Sequence, residues 1–448
     1  MIPGSTGLMQ FHEYNLSVLT QPEGLDIRPF GIHTKLMKLI FLFLPVFSFV
    51  IGQLTWTANA DDWPQWRGSD RDGISKEKGL LEKWPEGGPT LAWKTTGLGV
   101  GFSSIAVAKG TIYTLGDLDG GSCVIALSEK NGELIWKSKI GDAGGHKGYP
   151  GTRSTPTVDG GQVFALNQHS DIACVDATTG KLLWKKNLVT DFGGKMMSGW
   201  KYSESPLVDQ DRVICTPGGK DGTLVALNRK TGAKIWQTGD WTDTAGYSSV
   251  IIATIHGTRQ YIQLTGASVA GVDPETGKVL WKAARPGRTA VITTPVVDGD
   301  IVFVTSGYGV GCNGFRITKK GTEWSTEEIY ANTNLANHHG GVVLIDGHVY
   351  GSSGGTFRCV AIKSGEEVFK ERSVGKGSTL YTGGRFILRS EKGPVALIEA
   401  TPQGMKEISQ FEQPHRSSSR AWPHPVVANG KLYLRDQDIL LCYGVSSN

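Results

Sequence analysis

Apolar and polar positions alternate along most of this chain in short runs, cut by Gly-containing turns. Pro156-Thr-Val-Asp-Gly-Gly-Gln-Val-Phe164 is typical. Period-two alternation broken by Asp-Gly predicts antiparallel strands joined as hairpins. One stretch organises the rest. Asp176 to Trp184 (DATTGKLLW) returns as Asn228 to Trp236 (NRKTGAKIW) and Asp273 to Trp281 (DPETGKVLW). A looser copy runs from Ser128 to Trp136 (SEKNGELIW), and a decayed one from Ala361 to Phe369 (AIKSGEEVF).

Each copy has a local physical reading. The short polar side chain that opens it can hydrogen-bond forward and hold a turn. Gly132, Gly180, Gly232, Gly277 and Gly365 supply the positive φ that closes a short hairpin. A small residue precedes each Gly (Ala126, Cys174, Ala226, Gly271, Cys359), which leaves a slot for a wide ring docking on a neighbouring sheet. The aromatic slots fall at Trp93, Trp136, Trp184, Trp236, Trp281, Tyr330, Phe369 and Phe411, in steps of 39 to 52 residues. That is the size of four strands and their turns. The last repeat, Ala421 to Val445, lacks an outer strand, and the orphan stretch around Trp93 (GPTLAWKTTG) can supply it. The predicted fold is therefore all-β: an eight-bladed β-propeller of four-stranded antiparallel blades over residues 89–448. Pairing the Trp93 strand with the C-terminal repeat closes the ring and removes its open edges.

Composition agrees with this pattern. The chain has 448 residues with 61 Gly and 13 Trp, rich in turns and docking rings. Its 46 basic and 42 acidic residues leave a net charge of +4 without a basic run, which argues against a nucleic-acid partner. Residues 1–60 do not fit the repeat. Lys35 and Lys38 precede an apolar run from Leu39 to Ile51, and Ala58-Asn-Ala60 follows, which reads as a secretory signal over 37–60 cleaved near Ala60. Residues 1–36 then form a disordered or over-extended lead. The alternative is an uncleaved anchor, although the apolar run is short for a span. The mature chain is expected to be periplasmic or extracellular, monomeric and without a transmembrane domain. Asp62-Trp-Pro-Gln-Trp-Arg-Gly68 opens residues 61–88, a tether expected to pack on the propeller at its first blade.

The D-x-x-T-G-x-x-x-W repeat resembles that of quinoprotein (PQQ-like) β-propellers. More closely, the chain is similar to a family of exported bacterial PQQ-binding-like propellers. The similarity rests on Asp62–Gly68, Leu188–Trp200 (LVTDFGGKMMSGW), Asn337-His-His-Gly-Gly341 and Leu432–Asp438 (LYLRDQD). Members are often named for the propeller subunit of the outer-membrane β-barrel assembly machinery or for polyvinyl-alcohol dehydrogenase. Such names record a shared fold, which does not fix function.

In a four-stranded blade the T-G turns lie on one face, and the B–C loops and blade-to-blade crossovers lie on the other. The crossovers are longer and carry the reactive side chains, so a ligand site is expected there. Arg153, Lys195, Arg288 and Arg420 could hold an anion, with solvated loop charge as the ordinary alternative. Trp200, Trp241 and Trp422 could floor a planar ligand, with packing between blades as the alternative. His338 and His339 are a suggestive pair. On a strand they would point to opposite faces and could not jointly chelate a metal, which leaves a structural or acid–base role. No catalytic or metal-ligating residue is assigned. Gly97-Leu-Gly-Val-Gly101 lacks the helix of a dinucleotide loop, and Asp117-Leu-Asp-Gly120 lacks the later ligands of a calcium loop.

Cys174, Cys359 and Cys442 fall in the small slots of different blades, too far apart for disulfides, and read as buried thiols. A pair among Cys123, Cys215 and Cys312 stays open. Two functions remain. One is an exported, non-catalytic propeller that binds a partner protein, glycan or small ligand on its crossover face. The alternative is a PQQ-dependent dehydrogenase of alcohols or sugars, with PQQ and Ca²⁺ implied by the resemblance. Many such enzymes carry two adjacent cysteines beneath the cofactor and a Ca²⁺ held by acidic and amide side chains. Here no two cysteines are adjacent, and no such ligand set is assignable.

Overall fold

A computed structural model of the chain describes residues 62–447, all β and turn with no helix among them. The lead, signal segment and cleavage position expected within residues 1–60 lie outside the described residues. Seven consecutive sets of four strands occupy residues 106–142, 157–187, 207–237, 251–284, 296–332, 342–372 and 377–412, here blades 1 to 7, and the sheet of blade 7 gains a fifth strand, Ile74–Ser75. Blade 8 combines three strands within 426–444 with Thr90–Thr95, whose Trp93 lies opposite Cys442. The ring thus closes between the two ends of the propeller, as the orphan strand predicts.

The register explains the repeat. On the outer strand pair, each large ring stands opposite a small residue: Ala126 and Trp136, Cys174 and Trp184, Ala226 and Trp236, Gly271 and Trp281, Gly314 and Tyr330, Cys359 and Phe369. A bulge follows each pairing, so the strand turns outward where the ring is set down. The T-G glycines have φ between 69 and 73°. They also perform a second task. A Cβ on Gly180 would sit 2.6 Å from the Trp136 ring, and one on Gly232 would sit 2.7 Å from Trp184. Each ring therefore lies under the turn of the following blade, and its N–H is satisfied there: Trp136 donates to the Ala177 carbonyl, Trp184 to Arg229 and Trp236 to Pro274. The turn itself is held by its opening side chain. Asp176 Oδ1 accepts from the amides of Thr178 and Thr179 and from the Thr179 hydroxyl.

The core is distributed around the ring. Ala106, Tyr113 and Val124 of blade 1 pack with Val163 and Val175 of blade 2, and comparable clusters fill the other blade interfaces. All six cysteines are free and buried; Cys123, Cys215 and Cys312 lie in blades 1, 3 and 5.

Residues 62–77 do more than pack on the first blade. Trp63 bridges to Val107 of blade 1, and the Pro64 carbonyl accepts from Val158 of blade 2. Trp66 donates to Thr294, just before blade 5. Arg71 donates to the carbonyls of Ser205 and Pro206, at the start of blade 3, and of Val250, before blade 4. Arg67 donates to Val342 of blade 6. Ile74–Ser75 pairs in parallel with Tyr381 and Thr382 of blade 7, and the Ser75 hydroxyl donates to Val427 of blade 8. The segment thus touches the inner strand, or the residues leading into it, of all eight blades. It plugs the central channel with two buried guanidinium groups, at 3% exposure each. Burial lowers Arg67 to about 10 and Arg71 to about 9, so both stay charged at neutral pH.

Candidate functional site

A cavity of about 350 Å³ opens on the crossover face above this plug. Its wall is a chain of rings. Trp200 lies 5.6 Å from Tyr149, Tyr149 lies 4.8 Å from Trp422, and Trp422 lies 5.7 Å from His339. His338 follows at 5.1 Å from His339, and Tyr308 at 5.0 Å from His338. Phe102 reinforces Trp422 at 4.8 Å. The inner end is Trp66 of the plug, 4.5 Å from His424. These rings come from crossovers and B–C turns of different blades. No short sequence window contains them.

Charge is placed around the rings. Arg153 donates to the carbonyls of Trp200 and Tyr149, and its guanidinium lies 5.9 Å from the Phe102 ring centre. Glu391 is the one carboxylate lining the cavity. It accepts from Trp422 Nε1 at 3.0 Å and pairs with Lys376 at 3.5 Å and Arg420 at 3.7 Å. Burial pushes His338 down to about 4 and His424 to about 3, and holds His339 well below its ordinary range. The imidazoles are therefore neutral at pH 7, and Arg153, Lys376 and Arg420 face a single carboxylate. The cavity offers flat apolar faces under an excess of positive charge.

Of the residues expected to form the site, Arg153, Trp200, His338, His339, Arg420 and Trp422 all line this cavity. Trp241 does not. It is fully buried between blades 3 and 4, and its Nε1 donates to Ser268, so it is a packing residue. Lys195 and Arg288 are exposed and do not line the cavity, because their crossovers carry those side chains into solvent. The geometry expected of the histidine pair is also corrected. His338 and His339 sit in a bend, not a strand, and their Nδ1 atoms meet at 3.1 Å, while His338 Nε2 contacts the Tyr308 hydroxyl at 3.0 Å. Sequence reasoning missed Trp66, Phe102, Tyr149, Tyr308, Lys376 and Glu391. Tyr149 lies in the same crossover as Arg153, and its ring was the available signal. Tyr308 and Glu391 occupy B–C turns, whose place on the same face was the only hint.

Comparison with known proteins places this architecture. A family profile described as outer membrane protein assembly factor BamB matches residues 120–371, more than half of the chain. The chain belongs to the BamB family. Its repeats are of the PQQ-like type. BamB of Moranella endobia is 25% identical over 246 residues, covering 53% of this chain and 57% of that protein. The dehydrogenase subunit of the quinone alcohol dehydrogenase of Gluconacetobacter polyoxogenes is 25% identical over 283 residues, 59% of this chain and 35% of that subunit. The chain thus matches less than two thirds of the length of either relative. The crystal structure of BamB from Moraxella catarrhalis superposes with a TM-score of 0.57 at 16% identity, over 80% of this chain and 99% of that one. This last likeness concerns the fold alone.

The dehydrogenase relatives raise the question of a Ca²⁺-bridged quinone. Among the described residues no group of three or more His, Cys, Asp or Glu side chains could hold a metal ion. The cavity's carboxylate is already engaged by Lys376, Arg420 and Trp422, and no cysteine lines the cavity. This donor set does not fit a calcium-bridged quinone.

Proposed function

We propose that this BamB-family chain is an exported, non-catalytic binding propeller whose crossover-face cavity takes a small, planar, negatively charged ligand. The observation that supports this reading is the belt of rings closed by Arg153, Lys376 and Arg420 against one carboxylate. A cavity of about 350 Å³ suits a small molecule better than a protein surface. The family name supports an envelope location, and no helix among the described residues is long and apolar enough to cross a membrane.

The test is a titration of the purified chain with PQQ, used as a planar polycarboxylate probe, with and without Ca²⁺. Tryptophan fluorescence and melting temperature report binding, since a ligand of the folded state raises its stability. The expected result is saturable binding that does not need Ca²⁺ and weakens about tenfold or more in Arg420→Gln or Trp200→Ala. Ca²⁺-dependent binding with dye reduction in the presence of an alcohol would instead support the quinone-dependent dehydrogenase. Failure of PQQ and simpler aromatic carboxylates to bind would overturn the small-anion reading and leave the glycan and protein partners.

A further inference from the structure

Beneath the cavity, on the far side of Trp66 and His424, lies a second and much smaller void of about 10 Å³, enough for one solvent-sized particle. Trp66 and His424 line both spaces and separate them. The lower void is lined by Arg67, Thr155 and Thr379. Each of these brings polar atoms that have no protein partner: Nε and Nη1 of Arg67, Oγ1 of Thr155 and Oγ1 of Thr379. All are buried, Arg67 at 3%, Thr155 at 0% and Thr379 at 1% exposure.

Arg67 is held there deliberately by the surrounding backbone. Its Nη2 donates to the carbonyls of Asp72 and Val342. Gly341 and Gly73 make the room: a Cβ on Gly341 would lie 2.0 Å from Arg67 Nη1, and one on Gly73 would lie 2.5 Å from Nη2. Arg67 itself has φ of 62°, a conformation that side chains adopt at a cost and that the rest of the plug must enforce. Among the described residues no carboxylate stands within ion-pair distance of its guanidinium, and Asp72 attracts it only at longer range. Buried charge is ordinarily matched by an opposite charge, and buried donors by acceptors. Here a guanidinium edge and two hydroxyls, all able to donate, line one small space whose other walls include Trp63, Ile105, Leu380 and Ser104, the last already donating to the His424 carbonyl.

We propose that the plugged channel contains a binding site for a single compact monovalent anion of the halide class. Arg67 Nη1 and Nε supply the charge, and Thr155, just before blade 2, and Thr379 of blade 7 supply neutral donors. The anion locks the plug to the ring, and through Trp66 it sets the inner end of the ligand cavity above. This site is distinct from the cavity and does not depend on what the cavity binds.

The deciding experiment is crystallisation of the chain in sodium bromide with anomalous data at the bromine edge. A bromide peak within hydrogen-bond reach of Arg67 Nη1 is expected. A scatterer with no anomalous signal there, a water only, overturns the proposal. In solution, the melting temperature in sodium bromide should exceed that in sodium gluconate at equal ionic strength by about 2 °C or more, since gluconate is too large for the void. The Thr155→Val, Thr379→Val double variant should lose this difference. Arg67 is left in place because removing it would unseat the plug. If the double variant does not fold, the bromide peak in the unaltered chain decides alone.

Discussion

The two faces of this propeller are built from the same blades under different rules. On the T-G turn face the chain repeats itself: a polar opener, a Gly at positive φ, a ring on the outer strand, and an indole N–H donating to the neighbouring turn. On the crossover face nothing repeats. Trp200, Tyr149, Trp422, His339 and Tyr308 come from loops of different lengths and meet only because the ring closes. Periodic residues therefore carry stability, and aperiodic ones carry recognition. The comparison can be broken at either face.

The largest effect is expected on the periodic side. Trp184 is 8% exposed, sits opposite Cys174, lies against Gly232 and donates to Arg229. Trp184→Ala removes a wide ring from an interface between two blades and should cost about 3–5 kcal/mol. Urea unfolding would measure this. Ligand affinity of the folded fraction should not change, because Trp184 lies outside the cavity. An affinity loss without destabilisation would show that the two faces are not separable.

What the sequence discloses follows the same division. The eight-fold ring and its closure by Trp93 are legible because docking needs a small residue, a Gly and a ring at fixed offsets. The departures are informative too. Phe411 faces Val395 instead of a small residue, and it packs edge-on to Trp84 of the tether, 5.4 Å away. The site was half legible. Arg420 and Trp422 stand out as a cation and a large ring in a long crossover, but Trp241 has the same appearance and is core. A loop aromatic does not say which way it points. Gly341 is hardest to read: its role is to make room for Arg67, which lies far away in sequence. His338 and His339 misled for a related reason, since the strand geometry assumed for them gives way to a bend.

A smaller effect tests buried titratable groups of the crossover side by pH. The neutral histidines lie on the crossover side, and burial depresses all three. A group whose folded pKa is lowered stabilises the fold above its unfolded pKa, and that contribution is lost as pH falls through the folded value. Stability should therefore decline between about pH 6.5 and pH 4, with His338 alone contributing on the order of 3 kcal/mol of the loss. Glu204 acts in the opposite sense. Burial raises its carboxyl to about 7, so it favours the fold at the lower end of this range and less as pH rises toward 7. Thermal melts of His338→Gln and Glu204→Gln against pH should tilt the profile in opposite directions. Profiles unchanged in both variants would mean that neither group is held as the geometry requires.

The smallest effect tests the assignment of charge on the crossover face itself. Lys195, Arg288 and Arg420 looked equivalent along the chain, and only Arg420 lines the cavity, where it pairs with Glu391. Lys195→Gln and Arg288→Gln remove exposed charges, so stability should stay within about 0.5 kcal/mol of the parent. Their effect on an anionic ligand should be confined to a screened long-range term that vanishes at high salt. Arg420→Gln should weaken the same ligand at any ionic strength, because the charge it removes sits at the cavity wall beside Trp422. Measuring the three variants at low and high salt distinguishes a site built from contact from one built from net charge. Equal losses in all three, abolished together by salt, would mean that the face attracts anions only diffusely and that the ring-lined cavity does not select them.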